Sequence, residues 1–270
     1  MYKNKVVIIT GAGAGIGKAI STLLSDNGAQ IAICDKDPTT LESVKVEIKN
    51  KGGNVFSSVI DVSDDKEVNT FIEEVCEHYG KIDYLFANAG VLVIGEVKDI
   101  SIEHWHKVID VNLNGLFYSV SAVYKKMIEQ GFGHIVTIGS IQGLVPFPGN
   151  SSYVASKHAI TGFTKALWFE ACQYGIDVTL VCPGVVLTDL LFDSEYVNVD
   201  REKNIKTHKS TFDRIGLTAE SCGELIIKGV YKKKLVIVIS SFSKMILFFY
   251  KLSPLFVLKS LRKKYLGQER

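Results

Sequence analysis

The sequence predicts a single doubly wound α/β domain over residues 1–240, a seven-stranded parallel sheet with helices on both faces, followed by a C-terminal helical extension at 241–270. Three observations carry this reading. Seven short runs rich in Val and Ile recur along the chain, stretches with helical periodicity separate them, and a glycine cluster lies between the first run and the first helix. Runs that are apolar on both faces need cover on both faces, which places the helices above and below a parallel sheet.

The strands are predicted at KVVIIT (5–10), QIAIC (30–34), NVFSSV (54–59), IDYLFA (82–87), GHIVTI (133–138), DVTLVC (177–182) and KLVIVI (234–239). The helices fall at about 16–28, 38–51, 64–79, 102–129, 152–174 and 218–231. Ligands of such sheets gather at the carboxyl ends of the strands, so chemistry is expected just after each strand.

Composition narrows the setting. The chain has 270 residues, 47% hydrophobic and 22% charged, with a formal net charge of +2. That is an ordinary globular balance, without the basic excess of a nucleic-acid partner. The charge is unevenly spread, however. From Lys228 onward there are eleven Lys/Arg against one acid, Glu269, a net +10, while residues 1–227 carry 20 basic and 28 acidic side chains, a net −8. The five cysteines are scattered and show no CxxC spacing, which fits buried, reduced thiols. The opening MYKNKVVIIT enters a strand pattern with no apolar leader ahead of it, so a cytoplasmic catalytic body is expected.

The glycine cluster TGAGAGIGKA (10–19) places Gly11, Gly15 and Gly17 in a GxxxGxG arrangement, with Gly13, Ala14 and Ile16 between them. Here the turn must be tight, side chains would block a pyrophosphate from the backbone, and a helix N-terminus offers free N–H groups to an anion. Asp35 ends the second strand, where a carboxylate accepts hydrogen bonds from both adenosine ribose hydroxyls and repels a 2′-phosphate. This favours NAD, although Lys36 beside it leaves NADP possible. Asp61 and Val62 follow the third strand, beside the expected adenine, and Asn88, Ala89 and Gly90 follow the fourth, where small residues permit close approach. In SSYVASKHA (151–159), Tyr153 and Lys157 stand at i and i+4 on one helical face. A cation there is expected to lower the phenol's pKa towards the range of a general acid/base.

With TGxxxGIG, the acid after the second strand, NAG and YxxxK in register, the chain resembles the short-chain dehydrogenase/reductase family over roughly residues 3–240. The resemblance implies a Rossmann fold and a tetrad of Asn112, Ser140, Tyr153 and Lys157, with Ser140 and Tyr153 spaced 13 apart as in the family. Tyr153 would exchange a proton with the substrate oxygen, Ser140 would hold that oxygen, and Lys157 would bind the nicotinamide ribose. Asn112 would hold, by its main chain, a water in a proton relay. Taken singly, Ser140 and Asn112 also read as ordinary capping or helix hydrogen-bonding residues. CPGVVLTDL (182–190) resembles the family's PG segment: Pro183 and Gly184 set the turn, the Val186 main chain meets the carboxamide, and Thr188 bonds the carboxamide or phosphate. Residues 189–217 fall in the family's variable substrate lid. Leu144, Val145 and Phe147 read equally as an apolar substrate wall or as ordinary packing.

The implied activity is interconversion of a secondary alcohol and a carbonyl compound, on an apolar or lipid-like molecule, by a homodimer or homotetramer built on the long helices. Two alternatives remain: a 3-oxoacyl thioester reductase using NADPH, and a non-catalytic dinucleotide sensor at a membrane. His104 and His106 in HWH diverge on a helix and find no third ligand, so no metal is expected. The tail departs from the family. In 241–270, Lys244, Lys251, Lys259, Arg262 and Lys263 fall near one stripe beside a broad apolar surface, and Pro254 should break the helix before it could span a bilayer. The segment reads either as a packing helix or as a peripheral membrane contact on the inner face of a membrane.

Overall fold

The computed structural model describes residues 1–268; Glu269 and Arg270, the end of the predicted extension, lie outside the described residues. Strand β1 (Val6–Thr10) is buried along its whole length. Alternation along it divides the interior, with Val6 and Ile8 facing one core and Val7 and Ile9 the other. The chain continues through α1 (Gly15–Asp26), β2 (Gln30–Asp35), α2 (Pro38–Asn50), β3 (Asn54–Val59), α3 (Asp65–Tyr79), β4 (Tyr84–Ala87) and a short β5 (Val93–Ile94). Next come α4 (Ile102–Ile109), α5 (Gly115–Gln130), β6 (Gly133–Ile138), α6 (Ser151–Ala171), β7 (Ile176–Cys182) and β8 (Val186–Leu187). The remainder is α7 (Asp189–Phe192), β9 (Glu195–Tyr196), α8 (Arg201–Ile215), β10 (Leu217–Thr218), α9 (Ala219–Tyr231), β11 (Val236–Val238), α10 (Ser241–Leu252) and α11 (Pro254–Gln268).

Seven strands form the main sheet in the order β11-β7-β6-β4-β1-β2-β3, and every neighbouring pair is parallel. The predicted doubly wound architecture is therefore what the chain adopts. Helices α3, α5 and α6 cover one face with residues such as Phe71, Val123 and Ile160. On the other face lie α1, α2 and α9, with Leu24, Val44 and Ile226. Fully burying each such side chain contributes roughly 1.5–3 kcal/mol. Strand order reverses between β1 and β4, so a crevice opens at their carboxyl ends, where this class of sheet binds ligands.

Two departures from the predicted elements matter. The helix expected over 102–129 is broken by a π turn at Asp110–Asn114, which carries Asn112 inward. The predicted lid segment is also more ordered than a loop: β9 pairs with β5 and β10 pairs with β8, anchoring α7 and α8 between them. The thiols divide as well. Cys34, Cys182 and Cys222 are buried as expected, whereas Cys76 is half-buried and Cys172 exposed.

The tail forms two helices, and Pro254 starts the second of them. Its inner face packs on the body, with Val257 buried against Ile141 and Val145 and with Ile246, Leu247, Tyr250 and Leu261 around them. At the far end, the Tyr265 hydroxyl donates to the Glu96 carboxylate at 2.9 Å. Val257→Asp should cost about 2–4 kcal/mol of this docking, because it buries an unpaired charge. Limited proteolysis is expected to cut the variant near Ser253 faster than the parent, while the main sheet keeps its hydrogen-exchange protection.

Candidate active site

Helix α1 begins without help from a side chain. Its N-cap is Ala14, and no side-chain cap serves the first turn, so that turn's N–H groups face the crevice. Gly11 has φ +64°, and a Cβ there would lie 2.6 Å from the Ala89 Cα; a Cβ on Gly17 would lie 2.1 Å from the Gly11 carbonyl oxygen. The loop thus closes on the end of β4 with no room for side chains. Asn88 locks the contact by donating its amide to the Thr10 and Gly11 carbonyls at 3.0 and 2.9 Å. Asp35 reaches the same loop, accepting from the Gly13 N–H at 2.9 Å. A shallow cleft lined by Gly13, Ala14, Gly15, Lys18 and Thr40 runs past it. This cradle, which any Cβ would fill, fits a dinucleotide's pyrophosphate and adenosine ribose.

The other predicted cofactor residues border the crevice. Ile16 packs on the core beneath α1. Thr188 stands 3.2 Å from where a Gly15 Cβ would be. Val62 backs onto Gly115, and the Asp61 carboxylate accepts from the Ser63 N–H and hydroxyl. Burial alone would raise the Asp61 carboxyl, but those hydrogen bonds and the Lys36 charge hold it below its ordinary value. In the PG turn, Pro183 accepts from the Ile141 N–H at 2.8 Å, and Val186 joins the β8–β10 pair.

The four tetrad positions converge at the ends of β4 and β6. Ser140 and Tyr153 are both buried, and the serine hydroxyl lies near enough to the phenol to favour its ionised form, against the larger effect of burial. Lys157, 3% exposed, donates to the Ile138 carbonyl at 2.9 Å and lies 5.5 Å from the centre of the Tyr153 ring. Gly90 sits against both Asn112 and Lys157; a Cβ there would be 3.3 Å from one and 3.7 Å from the other. The electrostatics reverse one expectation. Burial pushes the Tyr153 phenol up to about 12 and the Lys157 ammonium down to about 8. The ammonium lies over the ring and points to a carbonyl instead of meeting the phenol oxygen, so desolvation outweighs its attraction.

Comparison with known proteins decides the family. The sequence model described as short chain dehydrogenase matches residues 5–195. The chain belongs to the short chain dehydrogenase family. It is 36% identical over 195 residues to cyclohexanol dehydrogenase of Acinetobacter sp. (strain SE19), covering 72% of this chain and 78% of that one. To the D-beta-hydroxybutyrate dehydrogenase of Rhizobium meliloti (strain 1021) it is 33% identical over 238 residues, 87% of each chain. In fold it matches a short chain dehydrogenase/reductase from Burkholderia phymatum in complex with NAD, with a TM-score of 0.82 at 24% identity over 100% of this chain and 96% of that one. This short chain dehydrogenase is thus an oxidoreductase acting on CH–OH groups with a nicotinamide dinucleotide.

Several residues around the candidate site carry little mark of their own in the sequence. Thr10, at the end of β1, accepts from the Asn88 and Ala89 N–H groups; its signal is a polar residue closing an apolar strand. Ser156 accepts from the Asn112 amide at 3.2 Å and donates to the Tyr153 carbonyl at 2.9 Å. Asn112 also exchanges two hydrogen bonds with the Val91 main chain. His104, for which no metal role is expected, forms a capping box with Ser101 and bonds Glu195 of the predicted lid at 2.9 Å.

The burial of Lys157 has a thermodynamic consequence. Its folded pKa lies below the ordinary 10.5, so the cost of holding the charge is fully present below about pH 8 and fades as pH rises towards 10.5. Lys157→Met should therefore raise the stability of the cofactor-free protein at pH 7 by about 2–3 kcal/mol while activity collapses. Thermal melts from pH 7 to pH 10 are expected to show the gap between variant and parent closing.

Proposed function

We propose that this protein interconverts a secondary alcohol and a ketone or aldehyde on an apolar or lipid-like molecule, using NAD in preference to NADP. The observation that carries the reading is one buried cluster: the Tyr153 phenol beside Ser140, with the Lys157 ammonium over its ring. When bound, the nicotinamide supplies or accepts the hydride. The chain's residues manage the oxygen. Ser140 holds the substrate oxygen and stabilises charge developing there, Tyr153 gives it a proton in carbonyl reduction and removes one in alcohol oxidation, and Lys157 binds the nicotinamide ribose. The Asn112 main chain, in the π turn, would hold a water leading towards Lys157. The preference for NAD rests on Asp35, whose carboxylate faces the Gly13 N–H where a 2′-phosphate would bring further negative charge.

Residues 1–240 constitute the catalytic body in this reading and 241–268 an added layer. Leu144 and Phe147, packed beside the tail, suit an apolar substrate wall. Exposed Phe117, Trp168 and Phe169 on α5 and α6 supply a face for a homodimer or homotetramer, and the free thiols fit a reducing cytoplasm. The exposed rings of the tail favour peripheral contact with a membrane.

The test is a panel of alcohols, sterols and hydroxyacyl thioesters with NAD⁺ or NADP⁺, followed by nicotinamide absorbance. Tyr153→Phe should lower kcat about 10²–10⁴-fold with little change in NAD⁺ affinity. Oxidation by the parent should accelerate with pH above neutrality, because the raised phenol must lose its proton to act as a base. Asp35→Ser should narrow the ratio of kcat/KM for NAD⁺ over NADP⁺ by about tenfold or more, the loss of roughly 1.4 kcal/mol of discrimination. A parent enzyme that strongly prefers NADPH with acyl thioesters would replace this reading with the thioester reductase.

A further inference from the structure

We propose that the outer stripe of the α10–α11 hairpin docks the enzyme on an anionic lipid bilayer. This rests on the reading of a lipid-like substrate and gives it a surface and an orientation. Helix α10 is apolar on two opposite faces. Positions 243, 246, 247 and 250 recur at helical spacing and turn inward onto Gly184 and the cluster around Ile141 and Val145. Positions 245, 248, 249 and 252 recur on the opposite side and stay bare: Met245 is 49% exposed, Phe248 64%, Phe249 46% and Leu252 73%. Across the corner at Ser253 and Pro254, Leu255 and Phe256 are exposed by 70% and 68% and prolong the same patch. Scattered exposed apolar residues need no explanation, but a stripe gathered at one corner marks an interaction surface.

Charge selects the occupant. Residues 241–268 contain six cations, Lys244, Lys251, Lys259, Arg262, Lys263 and Lys264, and no acid. All six are exposed, and among the described residues none forms a salt bridge. Turning about 100° per residue, Lys244 and Lys251 fall along one border of the bare stripe. A second copy offering the same patch would set cation against cation. An anionic bilayer takes the rings into its headgroup boundary and the lysines onto its lipid phosphates. Among the described residues no helix is long and apolar enough to cross a membrane, so the contact lies in the interface.

The position of the hairpin gives the contact its use. Its inner stripe covers the segment between Ser140 and Tyr153, so the bilayer face and the catalytic segment are the two sides of one helical layer.

The experiment sediments the full-length enzyme with vesicles of phosphatidylcholine alone, or of phosphatidylcholine mixed with phosphatidylglycerol, at low and high salt. Turnover of a short, water-soluble secondary alcohol is read in parallel. The parent should bind the mixed vesicles, and salt should weaken the binding. The double substitution Phe248→Ser and Phe256→Ser should lower the partition coefficient more than about tenfold, and Lys244→Glu with Lys251→Glu should do so on mixed vesicles only. Val46→Ser, at an exposed apolar residue of α2 away from the tail, should change nothing. None of these variants should alter turnover of the soluble alcohol. A parent that ignores mixed vesicles, or a double serine variant that binds them undiminished, overturns the proposal. A parent that ignores vesicles but whose oligomer shrinks on the serine substitutions assigns the patch to a second copy instead. Vesicle binding without oxidation of any alcohol supports docking while sinking the catalytic reading, and oxidation without vesicle binding does the reverse.

Discussion

Holding the Lys157 ammonium out of water dictates what can surround it. A cation that is 3% exposed needs a fixed acceptor, and the Ile138 carbonyl at the end of β6 supplies one. Its helix must then approach the sheet and the neighbouring turn very closely. Gly143 permits this, since a Cβ there would lie 2.4 Å from the Lys157 carbonyl oxygen. Gly90 permits the same on the other side. Asn112 ties α6, through Ser156, to the segment after β4, and the π turn aims that asparagine. The Cys182 thiol nearby offers no compensating anion, because burial pushes it up to about 12 and keeps it protonated. In the proposed reading, the fold accepts an unfavourable charge at the place where its donors would serve a bound nucleotide.

The sheet was legible because its signal is local. Five consecutive buried residues, Val6 to Thr10, cannot be mistaken for the alternation of a half-exposed strand. The glycine loop, Asp35 and the Tyr153 helix follow from the same logic, since each depends on a residue type at a strand end. What escaped depends on distant partners. Nothing in DVNLNG announces that its helix will bulge, because the cause lies at Val91 and Ser156. The direction of the Tyr153 shift escapes the sequence for a related reason: spacing puts the amine on the right face, but the depth of burial and the direction of the ammonium belong to the packed structure. The lid's short strands pair only two residues each, too few for a period to show.

Two readings of the tail, as packing helix and as membrane contact, compete only if the segment has one apolar face. Hydropathy cannot separate them, because Ile246 and Phe248 are alike in composition and opposite in burial. The body settles the inner face, which leaves the outer one without a structural duty. The first turn makes the division mechanically significant. Ser243 is buried against the Gly184 backbone, where a Cβ would come within 2.2 Å of its oxygen, and the Ile239 N–H donates to the Cys182 carbonyl just before Pro183. The PG turn is thus held from one side by Ile141 and from the other by the start of the tail. If that turn forms the nicotinamide side of the crevice, as proposed, a surface that grips the outer rings would also stiffen that wall.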